Sequence, residues 1–148
     1  MRLEPDDENY LNYLDSLTLD QLFELDASEN VDVVTAIGKN YNRQRKFTDA
    51  EYHFKLAIEL KPNDPWPLLF MGNLYFNWNK KSRAIEQFQK ASRLVPDIAC
   101  PYWCIADVYA TMLNEDLATE MYEKAVLVDP SDEQAEQKLQ SWNARRRT

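Results

Sequence analysis

One stretch of the sequence decides the fold: residues 65–98, PWPLLFMGNLYFNWNKKSRAIEQFQKASRLVPDI. Its pattern of small, aromatic and proline positions recurs on both sides at a period of 34 residues, without an insertion. Six positions keep this period in three copies: Ile37, Met71 and Ile105; Tyr41, Tyr75 and Tyr109; Ala50, Ala84 and Ala118; Phe54, Phe88 and Tyr122; Ala57, Ala91 and Ala125; and Pro62, Pro96 and Pro130. Such a period indicates an array of stacked supersecondary units. The sequence therefore predicts three units, over residues 31–64, 65–98 and 99–132.

Each unit is predicted to be a pair of helices. Small residues at the Gly38 and Ala50 positions let the two helices approach closely, and the large Tyr and Phe residues fill the space between units. A proline ends each unit, because proline cannot continue a helix. We expect helix pairs at 31–45 and 48–61, at 65–79 and 82–95, and at 99–113 and 116–129. The predicted N-caps of the second helices are Thr48, Ser82 and Asp116.

The pattern resembles the tetratricopeptide repeat (TPR), W-x2-L-G-x2-Y followed by A-x3-F, A and P. Gly38 and Gly72 fill its glycine position, and Ala106 replaces the glycine in the third copy. The tryptophan position is the weakest match, with Val34, Leu68 and Tyr102. The resemblance covers residues 31–130 and implies an all-α, right-handed superhelix of three helix-turn-helix repeats.

Two flanking segments differ from the repeats. Residues 1–30 carry nine acids and one base, which equals the net charge of −8 of the whole chain. Thr18 and Gln21 form a capping-box pattern there, so we expect an acidic N-terminal helical arm that caps, blocks or dimerises the repeats. Residues 133–148 predict a capping helix with a basic tail, since the end of a solenoid needs a polar outer face.

The TPR resemblance implies a concave groove lined by the first helices. Mapping its groove positions onto this chain predicts a partner-binding set that is mainly apolar at the centre: Thr35, Lys39, Asn42, Trp66, Leu69, Phe70, Asn73, Phe76, Trp103 and Asp107. In an alternative interpretation, several of these aromatic residues pack under the arm or between hairpins. TPR domains that hold acidic chaperone C-termini use a clamp of Lys, Asn and Arg. Phe70, Cys100 and Cys104 stand at clamp positions, so the clamp is absent.

The sequence predicts no chemistry beyond binding. The repeats balance acids against bases, which argues against a nucleic-acid partner. Cys100 and Cys104, four residues apart, are interpreted as two small groove residues, because the single His53 is too distant to complete a metal site. No cofactor or catalytic group is expected. The acidic N-terminus and the lack of a long apolar run predict a cytoplasmic protein without membrane insertion.

We therefore expect a protein-binding adaptor or scaffold that holds a polypeptide segment in an apolar groove. A second hypothesis is a chaperone for a hydrophobic client, since a short acidic chain with an apolar groove is similar to the class II type III secretion chaperones. A third is a structural protein that self-associates, as a homodimer through the N-terminal arm.

Overall fold

The computed structural model describes residues 8–25 and 30–147. Residues 1–7, 26–29 and 148 lie outside it, and with them five acids of the predicted acidic segment: Glu4, Asp6, Asp7, Asp26 and Glu29. The described residues form helices and no strand. The helices are α1 (Glu8–Ser16), α2 (Leu19–Phe23), α3 (Val31–Arg43), α4 (Phe47–Leu60), α5 (Pro65–Asn77), α6 (Lys81–Leu94), α7 (Cys100–Thr111), α8 (Glu115–Val128) and α9 (Glu133–Arg146). One helix pair lies within each of the three predicted units.

The turn inside each pair has the same backbone geometry in all three repeats. Arg45, Asn79 and Leu113 adopt the left-handed conformation, with φ of 60°, 61° and 60°. In the first repeat Arg45 N–H donates to the carbonyl of Asn42 and Lys46 N–H donates to that of Tyr41, both at 2.9 Å. This pair of bonds is a Schellman motif, which satisfies carbonyl groups at the end of the first helix. Both hydrogen bonds also form at the equivalent positions of the second and third repeats.

The predicted N-caps of the second helices are wrong. These helices begin at Phe47, Lys81 and Glu115, so Thr48, Ser82 and Asp116 lie inside the first turn. The Schellman turn is the reason. Because this turn is short, the second helix starts one or two residues earlier than the sequence pattern indicates. Among the first helices, Asp64 caps α5 by accepting a hydrogen bond from Trp66 N–H at 3.0 Å.

Close packing explains the small positions of the repeat. The side chain of Phe54 lies against Gly38, where a Cβ atom would come within 2.8 Å of the Phe54 ring atoms. Ala50 and Ala57 are fully buried, as are their equivalents in the other repeats. The core therefore runs along the whole stack, with Phe54 and Phe88 at its centre.

The two ends of the stack are covered by α1 and α2 on one side and by α9 on the other. Leu14 of α1 and Leu22 of α2 are buried against Val33, Ala36 and Ile37 of α3. The capping box is confirmed: Thr18 N–H donates to Gln21 Oε1 at 2.9 Å, and Gln21 N–H donates to Thr18 Oγ1. At the other end, α9 buries Ala135 and Trp142. None of the described helices combines the length and the hydropathy that crossing a bilayer requires.

Candidate functional site

The predicted groove residues fall into two groups along the first helices α3, α5 and α7. The first group lines a cleft near the N-terminal end: Thr35, Lys39, Trp66 and Phe70. The second group lines a small cavity in the middle: Asn73, Phe76, Trp103 and Asp107. Asn42 lies outside both groups and its side-chain oxygen accepts a hydrogen bond from Asn77 at 3.2 Å. The structure therefore brings together most of the predicted set, in two neighbouring places.

Leu69 is the member that the structure places elsewhere. Only 5% of its surface is exposed, and it belongs to the core cluster that contains Phe54 and Phe88. Thr35 is also buried, with 9% exposed, although it borders the N-terminal cleft. A buried side chain offers little surface to a ligand, so Leu69 supports the groove from behind.

The N-terminal cleft has a volume of about 400 Å³ and an aromatic wall. Trp66 is 53% exposed and lies with its ring centroid 6.4 Å from that of Phe70. Phe70 in turn stacks on the buried Phe54 at 6.2 Å. The ammonium group of Lys39 lies 4.7 Å from the centroid of Phe70, within the range of a cation–π interaction. Trp66 is thus an exposed aromatic side chain held on a rigid stack.

The arm forms the opposite wall of this cleft. Leu11 of α1 is 41% exposed and lines the cleft with Leu14 and Asp15. The carboxylate of Asp15 accepts a hydrogen bond from Lys39 Nζ at 2.6 Å. Leu11 and Asp15 are groove residues that the repeat pattern does not predict, because α1 lies outside the repeat.

The middle of the face presents hydrogen-bonding groups among aromatic rings. Asn73 is exposed, and the adjoining cavity of about 70 Å³ is bordered by Phe76, Trp103 and Asp107. The indole N–H of Trp103 is buried and makes no hydrogen bond to any residue that the structure describes. Lys138 Nζ lies 4.9 Å from the centroid of the Trp103 ring. An unpaired buried donor is costly, and an acceptor from a ligand or a water would satisfy it.

Asp107 is engaged by two neighbours from the C-terminal helices. Its carboxylate accepts a short hydrogen bond from the hydroxyl of Tyr122 and a second from Lys138 Nζ at 2.6 Å. Burial and the bond to Asp107 raise the pKa of the Tyr122 hydroxyl. Beyond Asp107 a more polar cleft of about 370 Å³ lies between α7 and α9. The groove therefore changes from apolar at the arm to polar at the capping helix.

The two thiols lie at the C-terminal side of the groove. Cys100 Sγ and Cys104 Sγ are 3.9 Å apart, and Cys104 is the more buried of the two. The hydrogen bond from Cys104 lowers the pKa of the Cys100 thiol, while the burial of Cys100 acts in the opposite direction. Across the described residues, no group of three His, Cys, Asp or Glu side chains is arranged to hold a metal ion.

Comparison with known proteins supports the repeat. Residues 68–97 match the family model of the tetratricopeptide repeat. The chain has the tetratricopeptide-repeat fold. No curated protein sequence matches the chain significantly.

Solved TPR structures share this fold at low sequence identity. MamA has a TM-score of 0.68 at 23% identity, over 99% of this chain and 86% of that chain. The first TPR domain of RPAP3 (Spaghetti), bound to the HSP90 peptide SRMEEVD, has a TM-score of 0.66 at 18% identity, over 82% and 96%. The Sgt2 TPR domain from Aspergillus fumigatus has a TM-score of 0.67 at 16% identity, over 78% of each chain. At these identities the likeness extends to the fold.

Proposed function

We propose that the chain is a protein–protein interaction module that binds a polypeptide segment along its concave face, without a cofactor or catalytic activity. The observation that carries this proposal is Trp66, a half-exposed tryptophan that forms a wall of a cleft of about 400 Å³. Large aromatic side chains in concave sites are frequent anchors of protein interfaces. The proposed contact surface keeps the predicted residues that line the face: Lys39, Asn42, Trp66, Phe70, Asn73, Phe76, Trp103 and Asp107.

The ligand proposed from this geometry has an apolar side chain followed by exposed backbone. The apolar side chain enters the cleft between Leu11 and Trp66, where burial of a large apolar group is worth about 1.5–3 kcal/mol. One helical turn further along, the exposed amide of Asn73 faces the ligand backbone as a hydrogen-bond donor. A few directed polar groups in an apolar site fix the orientation of the ligand.

The RPAP3 domain supports peptide binding by this fold but differs from the ligand proposed here. That domain holds the HSP90 peptide SRMEEVD, which is acidic at its C-terminus. This chain has Phe70, Cys100 and Cys104 where a carboxylate clamp would need amide and basic side chains. We therefore assign an apolar segment, rather than an acidic C-terminus, to this groove.

A chaperone for a hydrophobic client is the second candidate, and it is favoured by the exposed apolar walls Leu11 and Trp66. It extends to a client such as a type III secretion translocator. Self-association through the arm remains a third prediction. The described arm packs on its own repeats through Leu14, Leu22 and the bond between Asp15 and Lys39.

Selection of peptides from a random phage-displayed library against the purified chain tests the proposal. The selected peptides are expected to share an apolar anchor and to bind the Trp66→Ala and Asn73→Ala variants at least tenfold more weakly, as measured by fluorescence anisotropy. The matched control is Leu127→Ala, because Leu127 is 80% exposed on α8, away from the groove. Equal binding to the wild-type chain and to both groove variants would refute the assignment of the groove.

A further inference from the structure

The second helix of the first repeat departs from its two equivalents on its outer side. Three positions, spaced by four residues, lie along this side. Because the chain is a repeat, the residues at these positions can be compared between the three second helices. These positions are Tyr52, Leu56 and Leu60 in α4, Glu86, Lys90 and Leu94 in α6, and Glu120, Lys124 and Val128 in α8. The second and third repeats thus place two charged groups where the first repeat has a tyrosine and a leucine.

Two of the three apolar side chains in α4 are exposed. Tyr52 is 61% and Leu60 is 38% exposed, and Phe23 at the end of α2 is 53% exposed beside them. Together with Val34 and Leu56 they line a cleft of about 420 Å³ that shares no lining residue with the N-terminal cleft or with the cavity in the middle of the groove. We call these five residues the outer apolar cleft. Charged residues at two of its positions would keep the fold intact, as α6 and α8 demonstrate, so packing within the chain does not require the apolar residues.

The next repeat has an equivalent cleft, and its rim is charged. It lies between α4 and the second repeat and is bordered by Lys55, Lys90 and Arg93. There the preceding helix α4 contributes Ile58, which packs on the core of the second repeat. The second repeat thus has Lys90 and Arg93 at this rim, where the first repeat has Leu56 and Glu59.

The element that precedes the first repeat is also shorter than its equivalent. Helix α4 has 14 residues and helix α2 has 5, so their lengths are about 21 Å and 8 Å at 1.5 Å per residue. Helix α2 reaches the cleft with Phe23 alone. Among the described elements, the helix that precedes the first repeat therefore covers its outer face over less than half of the length that α4 covers on the second repeat.

The size of the exposed surface indicates the kind of occupant. The exposed parts of Phe23 and Tyr52 amount to roughly 230 Å² together, since an aromatic side chain buries about 150–250 Å² when fully covered. A standard interface between folded proteins needs about 800 Å² from each partner. The cleft is too small for a stable dimer of this chain, and its area suits a single short helix.

We propose that the outer apolar cleft binds an amphipathic helix of two to three turns from another protein. The helix lies on the part of the first repeat that α2 leaves uncovered, and places aliphatic side chains between Phe23 and Leu56. Glu59 borders the cleft. It favours a helix with a basic residue beside its apolar stripe, because opposite charges at a rim steer the orientation of binding. This surface is separate from the concave groove and gives the module a second partner.

A labelled synthetic peptide of residues 47–62 is the probe, because this segment contains the helix that occupies the equivalent face of the second repeat. Fluorescence anisotropy with the full chain should show saturable binding. The Tyr52→Glu/Leu56→Lys variant should bind the peptide at least tenfold more weakly. Both substitutions introduce residues that α6 and α8 carry at these positions, and circular dichroism checks that helicity is retained.

A swapped variant distinguishes binding at the outer apolar cleft from nonspecific binding to exposed apolar side chains. Adding Glu86→Tyr and Lys90→Leu to the double variant restores the apolar composition but moves it to the second repeat, where α4 already lies on the face. Binding of the peptide should remain lost in this swapped variant. It is overturned if the peptide does not bind the wild-type chain, or if the double or the swapped variant binds as well as wild type does.

Sedimentation and the groove variant exclude the remaining occupants. The wild-type chain should sediment as a monomer; a dimer that Tyr52→Glu/Leu56→Lys dissociates would show that a second copy occupies the cleft and would overturn the proposal. Trp66→Ala should leave the affinity of this peptide unchanged. A loss of binding in Trp66→Ala would place the peptide in the concave groove and would also overturn the assignment.

Discussion

Asp15 of the arm and Lys39 of the first repeat are joined by a hydrogen bond of 2.6 Å between carboxylate and ammonium groups. Lys39 occupies the same position in its repeat as Asn73 and Asp107 do in theirs. Asp107 is bound in a matching way by Lys138 from the capping helix, also at 2.6 Å. The arm and the capping helix thus each bind one residue of the row of equivalent groove positions formed by Lys39, Asn73 and Asp107. Asn73, the middle residue of this row, stays exposed.

The ion pair should hold the arm less firmly than its apolar contacts do. The side chains of Lys39 and Asp15 are 25% and 37% exposed, and such a partly solvated pair contributes about 0.2–1 kcal/mol. Leu14 is 1% exposed, so Leu14→Ala should cost about 2–5 kcal/mol of arm packing. Hydrogen exchange should therefore accelerate slightly over residues 8–25 in Asp15→Asn and strongly in Leu14→Ala. Equal exchange in the two variants would contradict this ranking.

Gly72 should be intolerant of any side chain. A Cβ atom at this position would lie 2.7 Å from Cδ1 and Cζ of Phe88, whose side chain is 1% exposed and has no room to move. Overpacking of this kind costs about 1–3 kcal/mol. We expect Gly72→Ala to lower the free energy of unfolding by that amount in urea titrations. Ser82→Ala on an exposed turn of α6 is the control, and an unchanged midpoint for Gly72→Ala would contradict the close approach.

Tyr75 predicts a loss of stability at high pH. Burial and the hydrogen bond of 2.7 Å to Glu51 raise the pKa of its hydroxyl from 10.0 to about 12. The folded state thus retains the proton that the unfolded state loses first. This contribution to stability is complete below pH 10 and disappears as the pH rises from 10 to 12. Chemical denaturation across that interval should show a steeper fall for the wild-type chain than for Tyr75→Phe; parallel curves would argue against the bond.

The repeat could be read from the sequence because its physical causes are local. Gly72, Ala84 and Phe88 must follow one another at these spacings for one hairpin to close. The division of α5 into groove and core could not be predicted in the same way. Apart from Asn73 and Asn77 this helix is apolar on every side, so periodicity does not separate the buried Leu69 from the half-buried Phe70.

The contacts of the arm and the geometry of the turns could not be predicted from the sequence, for other reasons. Asp15 meets Lys39 across 24 residues, and no period relates the arm to the repeat. The left-handed residues at the turns are Arg45, Asn79 and Leu113, and none of them is the glycine that usually marks such a turn. Because no glycine marks these turns, the predicted second helices start later than the observed ones.

Leu113 offers a stabilising substitution at that turn. It has a φ of 60° and is 87% exposed, so its side chain adds little packing while the left-handed backbone costs a residue with a Cβ atom about 1–2 kcal/mol. Leu113→Gly should raise the free energy of unfolding by about 1 kcal/mol, reduced slightly by the greater freedom of glycine in the unfolded chain. Asn79→Gly should gain less stability, because asparagine tolerates this conformation.

Leu127→Gly is the matched control: Leu127 is 80% exposed but lies within α8, where glycine should cost about 1 kcal/mol. Thermal unfolding of the three variants checks the order, and a Leu113→Gly variant less stable than the wild-type chain would show that its side chain, and not its backbone, determines the turn.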